Sequence, residues 1–366
     1  MKLLKLFSTV AALALMPVVT APAMAAVSKA VGTALNQAAK SSGAAAVNAI
    51  NTAKAAAKTP EEKTKVAQMA AYVYTKQGQY GKAADELQAG GAATPKQLAS
   101  LYYNAGNYTK AVTYAKQAGG DDMQVLIAQA AIKQGHYAEA VTSYNKLIAS
   151  NGPKPLYLEN LAGAQYKSGD KKGYLATTEK LVRSDPSPAR WKTLLVEQQK
   201  NQMQPEAKLA LFELMDATGN LTRPEDIQEY AKLAIVNNQP GVAQSVLTKA
   251  GGSLGSDPMT AKLAQAAAQR AQAAGANAAK LAADPATANV AGGAYFGLGQ
   301  YPAAAAAYAK SAAAGGPYVD RAKTFQGISQ LKAGNAGAAK TTFASVGEGG
   351  MKDIADLWKL YASTKG

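Results

Sequence analysis

Few side chains in this chain could carry catalysis. It has one histidine, His136, and no cysteine among 366 residues. A metal ion on His136 would find no second histidine and no thiolate to share it, and disulfides are excluded outright. A serine triad would have to use His136, and no Gly-x-Ser-x-Gly elbow accompanies it. Glu61 and Glu62 are adjacent and could serve as an acid–base pair. They follow Thr59-Pro60, however, which places them in the first turn of a helix. Acidic groups there cap backbone N–H groups and meet the helix dipole. The glycine-rich stretch 251–255 lacks the following Lys-Ser/Thr of a phosphate loop. A carboxylate-based hydrolase would need a cleft, and the chain offers no separate domain to supply one. No cofactor and no metal are expected, and the chain is read as a non-enzyme.

The elements that any functional residues must stand on are helical. Alanine, the best helix former, dominates, and no stretch alternates like a strand. Prolines fall at helix starts. Thr59-Pro60-Glu61-Glu62 and Thr94-Pro95-Lys96-Gln97 are capping boxes with Pro at the first helical position, and Ser187-Pro188, Asp257-Pro258 and Asp284-Pro285 are further cap-then-Pro starts.

The N-terminus has the form of a secretory signal. Lys2 and Lys5 are followed by an apolar run from Leu6 to Met16, then Ala23-Met24-Ala25, so residues 1–25 are expected to be removed. The run is shorter than the ~20 residues of a membrane span. That start, with no cysteine after it, suits export to the periplasm of a Gram-negative bacterium without a transmembrane or lipid anchor. Formal net charge is +15; without Lys2 and Lys5 it is +13. The basic residues are dispersed. They favour anionic partners and solubility. Dense basic blocks with interleaved aromatics are absent, which speaks against nucleic acid.

A repeat sets the organisation. Gly78-Gln-Tyr80-Gly-Lys-Ala83, Gly106-Asn-Tyr108-Thr-Lys-Ala111 and Gly135-His-Tyr137-Ala-Glu-Ala140 share Gly, Tyr and Ala at fixed offsets. Seven residues before each glycine stands Ala71, Ala99 or Ala128; four before stands Tyr74, Tyr102 or Ala131; nine after stands Leu87, Ala115 or Tyr144. Gly299 repeats the pattern with Gly292, Tyr295, Tyr301, Ala304 and Tyr308, while Gly169, Asn238 and Gly334 match in part. Small residues let two helices approach closely, the glycine ends the first helix, and the aromatics fill the gap to the next pair. Tyr outnumbers Phe 18 to 5, so half-buried rings with wet hydroxyl tips are expected. Glycine spacings of 28 and 29 (Gly78 to Gly106 to Gly135) then 34 (to Gly169) indicate short early units.

This pattern of small, aromatic, small, aromatic and proline residues resembles the tetratricopeptide repeat, in an exported bacterial form. The resemblance implies an all-α fold, a right-handed superhelical α-solenoid of stacked antiparallel helix pairs with degenerate units. The expected layout is a signal peptide (1–25), an Ala-rich helical arm with little to bury (26–58), repeats (59–250), a degenerate Ala-rich helical segment (251–288) with a hinge at 251–258, and C-terminal repeats with a capping helix (289–366). In that last helix Ile354, Leu357, Trp358 and Tyr361 form one apolar face.

In this family the first helix of each pair lines a concave face. The residues two before each turn glycine, Lys76, Asn104, Lys133 and Lys167, are therefore expected to point there, flanked by Tyr103 and Tyr166 and by Tyr72 and Gln129. Ammonium and amide donors in register could hold carboxylates of an extended peptide. The expected function is a non-catalytic exported scaffold that binds a protein or peptide partner in the cell envelope, acidic partners included. The competing readings are a docking factor for an anionic envelope polymer (peptidoglycan or polysaccharide) and the helical wall of an envelope hydrolase.

Overall fold

The computed structural model describes residues 27–254 and 258–365, and the side chains of all of these except 252 and 253. The expected signal peptide lies outside the described residues, as does part of the expected hinge, including Asp257. Among the described residues there are twenty α-helices and no strand. The chain forms two compact units, divided between Thr177 and Thr178.

The first unit pairs α1 (Lys29–Lys40) with α2 (Gly43–Ala56), α3 (Pro60–Lys76) with α4 (Tyr80–Ala89), α5 (Pro95–Asn104) with α6 (Tyr108–Ala118) and α7 (Asp121–Lys133) with α8 (Tyr137–Asn151). It continues through α9 (Pro155–Ser168) into α10 (Lys171–Ser184), inside which the division falls. Each helix from α1 to α8 packs on its successor, and first helices also pack on first helices, as α5 does on α7. This is the expected all-α solenoid of helix pairs.

Both capping boxes are formed. Thr59 Oγ1 accepts from the Glu62 N–H at 3.1 Å, and the Glu62 carboxylate accepts from the Thr59 N–H at 3.2 Å. Thr94 and Gln97 repeat the exchange. Glu62 does more than its spacing suggested: it also accepts from the N–H groups of Lys58 and Ser28, at 2.8 and 2.9 Å. Ser28 immediately precedes α1, so one carboxylate ties the start of α1 to the start of α3. The Ser28 contacts, with those of Lys58 and Thr59, hold its pKa down at about 2.

The 26–58 segment is not a loose arm. Val31, Leu35 and Ile50 are fully buried against Val66, Met69 and Val73 of α3. Three large apolar side chains suffice because alanines at 34, 38, 46, 49 and 53 bring the helices close enough to exclude water.

The turn glycines at 78, 106, 135, 169, 299 and 334 all have positive φ, and Asn238, in the same slot, has φ 62°. Asn tolerates the left-handed region better than other non-glycine residues. The rings depart from the wet-tip expectation at Tyr102, which is buried, and throughout one slot. Nine residues after the glycine, Tyr144 and Tyr308 are completely buried. That slot faces inward onto the small residue of the first helix: a Cβ on Gly292 would meet the Tyr308 ring at 2.7 Å, and one on Gly327 the Phe343 ring at 2.5 Å.

The second unit comprises α11 (Pro188–Gln199), α12 (Pro205–Ala217), α13 (Pro224–Val236), α14 (Pro240–Ala250), a 3-10 turn at Gly251–Leu254, α15 (Pro258–Ala283), α16 (Ala288–Gly297), α17 (Tyr301–Ala313), α18 (Val319–Lys332), α19 (Ala336–Ala344) and α20 (Gly350–Ser363). Ser187-Pro188 starts a helix as expected. Asp284-Pro285 does not: it is a turn in which the Asp284 carboxylate accepts from the Ala286 N–H, and α16 starts three residues after Pro285.

This unit closes on itself around α12, which is buried on every side from Leu209 to Met215. Besides its neighbours in sequence, α18 and α20 pack on it. The terminal helix covers α19 with its apolar face, leaving Asp353, Asp356 and Lys359 exposed, and also bridges to α12. Trp358 stacks on Phe343 of α19, and its Nε1–H donates to the Ala210 carbonyl at 3.0 Å. The Tyr361 hydroxyl donates to the Ala217 carbonyl at 3.0 Å, and its ring meets Trp191 edge-on. The apolar face was legible, but the 148 residues separating its partner were not.

Candidate functional site

The expected binding row lies wholly in the first unit, on α3, α5, α7 and α9. Each residue stands one position before the end of a first helix or at its end, because the following turn must place a glycine in the left-handed region. Lys76, Asn104, Lys133 and Lys167 are all exposed. Lys76 Nζ lies 4.8 Å above the Tyr72 ring, and Lys167 Nζ lies 5.6 Å above that of Tyr137. These cation–π contacts hold the ammonium groups over the helix surface instead of letting them sweep through solvent. The Asn104 amide N–H donates back to the Ser100 carbonyl at 2.8 Å, which engages one donor on its own helix.

The flanking positions divide. Tyr166 is 42% exposed. Tyr103 is half-buried and packs edge-on to Tyr108 at 5.5 Å; burial, then the neighbouring phenol, pushes its pKa up to about 12, so it is a neutral donor at any physiological pH. Gln129 does not reach this surface. It is 1% exposed, and its slot is filled from the side by the neighbouring pairs, so it belongs to the packing of α7. Tyr72 is half-buried beneath Lys76.

His136 is the residue immediately before α8, exposed, with Nδ1 3.9 Å from Glu139. Among the described residues no group of three or more His, Asp or Glu is placed to hold a metal. Glu62 does the capping work described above, while Glu61 stands exposed in the same first turn with Lys65 Nζ 3.8 Å away.

The second unit carries a charged cluster that sequence inspection missed. Glu213 on α12 is 3% exposed. One of its oxygens pairs with Lys332 Nζ of α18, and the other accepts from the Tyr230 hydroxyl of α13. Burial alone would pull the Lys332 pKa down; the Glu213 carboxylate outweighs it and holds it above the ordinary lysine value. Burial, then Glu213, drives the Tyr230 phenol far up. The Lys332 ammonium also sits 5.3 and 5.6 Å above the Phe296 and Tyr301 rings. Asp216 and Lys249 pair at 2.6 Å beside the same cavity of about 300 Å³. Every charge in the cluster has an opposite partner, so it is a closed lock between α12, α13 and α18 rather than an open receptor. No local motif signals it, since its members lie 17 and 119 residues from Glu213.

Residues 121–152, the α7–α8 pair, match the family model of the tetratricopeptide repeat. No curated protein matches the chain. Solved structures similar to it include that of Naa15/Naa10 bound to HypK-THB, at 16% identity and TM-score 0.37, covering 91% of this chain and 55% of that one. Yeast Tom70 aligns at 13% identity and TM-score 0.28, over 95% of this chain and 68% of that one. A tetratricopeptide repeat protein from Parabacteroides merdae aligns at 15% identity and TM-score 0.22, over 83% of this chain and all of that one. The chain thus spans about half the length of the Naa15/Naa10 chain that it matches. Among the described residues no helix is long and apolar enough to cross a membrane.

Proposed function

We propose that this chain, one of whose helix pairs matches the tetratricopeptide repeat, is a non-catalytic exported scaffold that holds an acidic protein or peptide partner on the first helices of its first unit. A solenoid of helix pairs fits a protein-binding scaffold, and proteins built from this repeat are generally not catalysts. The observation that carries the acidic partner is the register of Lys76, Lys133 and Lys167. All three are exposed, all three occupy the same slot of their repeat, and two are propped on tyrosine rings. Carboxylates of an extended chain would meet ammonium groups at successive repeats, with Tyr103 and Tyr166 offering ring edges and hydroxyl donors between them. The form of residues 1–25 supports the proposed export to the periplasm of a Gram-negative bacterium, where the partner would be an envelope protein.

The net charge, +13 without Lys2 and Lys5, supports a second reading, docking on an anionic envelope polymer. One experiment separates the two. The wild-type chain and a Lys76→Glu, Lys133→Glu, Lys167→Glu variant are titrated with envelope extract and with purified peptidoglycan at low and at 0.5 M salt. Capture of a protein partner at low salt that is lost in the variant supports the scaffold, and weakening of that capture at 0.5 M salt is expected of exposed ammonium contacts. Polymer binding that collapses with salt, with protein capture unchanged by the variant, removes the lysine row from the account.

A further inference from the structure

The second unit contains a cavity of about 740 Å³ that the closed lock does not touch. It opens between the first turn of α12, the end of α13, the α15–α16 turn and the start of α18. Its volume lies within the range of small-molecule sites. Three observations fix its chemistry.

The first is Arg321, which lines it and is 6% exposed. A guanidinium buried to that degree is ordinarily matched by a carboxylate. Arg321 has none among the described residues. Its Nη2 donates to the Asn237 carbonyl at 2.6 Å, its plane lies 5.8 Å from the centre of the Phe325 ring, and its Nε–H has no hydrogen-bond partner. Asn289, 9% exposed, lines the same cavity with an Oδ1 that accepts nothing. Both atoms are closed off from water, so each bears an unrelieved desolvation cost that a ligand group would cancel by shifting the wall slightly.

The second is the sign of the rim. Asp284 is exposed and Glu206 half-exposed; both line the cavity and neither forms an ion pair among the described residues. A cation lies deep and two anions lie shallow. That arrangement repels a dianion such as phosphate and rewards a molecule with one charge of each sign.

The third is apolar surface. Val236 is 74% exposed and Tyr318 56% exposed, two of the few large apolar side chains left in solvent, and both border this cavity.

We propose that this cavity binds a zwitterion with an apolar body, an apolar amino acid or short apolar peptide, with its carboxylate toward Arg321 and its ammonium toward Asp284 and Glu206. The site lies in the second unit and is independent of the lysine row in the first. Isothermal titration of the full chain with L-leucyl-L-leucine, its C-terminal amide, its N-acetyl form and free L-leucine tests it. The dipeptide binds; amidation weakens it at least about tenfold, since a charge-assisted hydrogen bond to a buried group is lost; acetylation weakens it less, because the rim acids are screened. L-leucine binding as tightly as the dipeptide assigns the free amino acid, and weaker binding assigns the peptide. Arg321→Gln abolishes binding. Because Arg321 also holds the Asn237 carbonyl, the exposed Val236→Asp serves as the second variant: it melts like the parent and binds at least about tenfold more weakly. No heat at millimolar ligand, an amide that binds as well as the acid, or undiminished binding by Val236→Asp overturns the proposal.

Discussion

Lys332→Met cuts the lock that holds α18 to α12. The variant keeps the aliphatic stem over Phe296 and Tyr301 but leaves Glu213, 3% exposed, with only the Tyr230 hydroxyl to answer its charge. Removing one partner of a buried pair costs about 3–5 kcal/mol, because the remaining charge is stranded. The Lys332 side chain is 27% accessible, so water partly compensates and the lower end, about 3 kcal/mol, is expected. With a urea dependence of about 2 kcal/mol per molar, the unfolding midpoint falls by about 1.5 M. The assay is specific to the unit concerned: the chain has two tryptophans, Trp191 and Trp358, both buried in the second unit. Urea unfolding followed by tryptophan emission therefore reports that unit without interference from the first. The double variant Glu213→Gln, Lys332→Met removes both charges and leaves an acceptor for Tyr230, so it regains about 2 kcal/mol relative to Lys332→Met. A midpoint within about 0.3 M of the parent for the single variant, or a double variant no more stable than the single, refutes the reasoning.

Glu62 sets an acid limit on the N-terminal pairs. Its folded pKa, about 2, lies below the ordinary 4.5, so its contribution is complete above 4.5 and is lost as pH falls toward 2. Protection of the Leu35 and Ile50 amides, taken relative to the intrinsic exchange rate at each pH, should fall over that window, and Glu62→Ala should show reduced protection already at neutral pH. Gly292→Ala drives a methyl to 2.7 Å from the Tyr308 ring and costs about 1–2 kcal/mol despite the better helix propensity of alanine; adding Tyr308→Leu should recover it in the same urea assay. Trp358→Ala removes the bridge between α19 and α12 and costs about 3–5 kcal/mol, read by far-UV dichroism melting.

Local chemistry made most of the first unit, and the last helix of the second, legible. A capping box needs only residues three apart, a turn glycine only its own φ, and an apolar face only a spacing of three and four, so Thr59, Gly106 and Ile354 announced their roles. Contributions that come from fixed register along one repeat, such as the Lys76, Lys133 and Lys167 slot, could be located on their helices in the same way. Gln129 shows the limit: its slot is a surface position by register and a buried one by packing, because the depth of a position depends on how closely the neighbouring pairs approach. The N-terminal segment shows it again, since alanine-rich helices look empty until close approach turns small residues into a sealed seam.

The sequence by itself determined the helix starts at its capping boxes, the glycines that end first helices, and that small residues face aromatic ones across each pair, because those are local interactions; at Asp284-Pro285 the local signal marked a turn instead. Tertiary structure alone decided that α20 returns to α12 through Trp358, that Glu213 meets Lys332 and Tyr230, and that Arg321 lies uncompensated beside a cavity rimmed by acids. Those groups are separated by tens to more than a hundred residues, and no spacing rule encodes a distance that is fixed only when the second unit closes around its central helix.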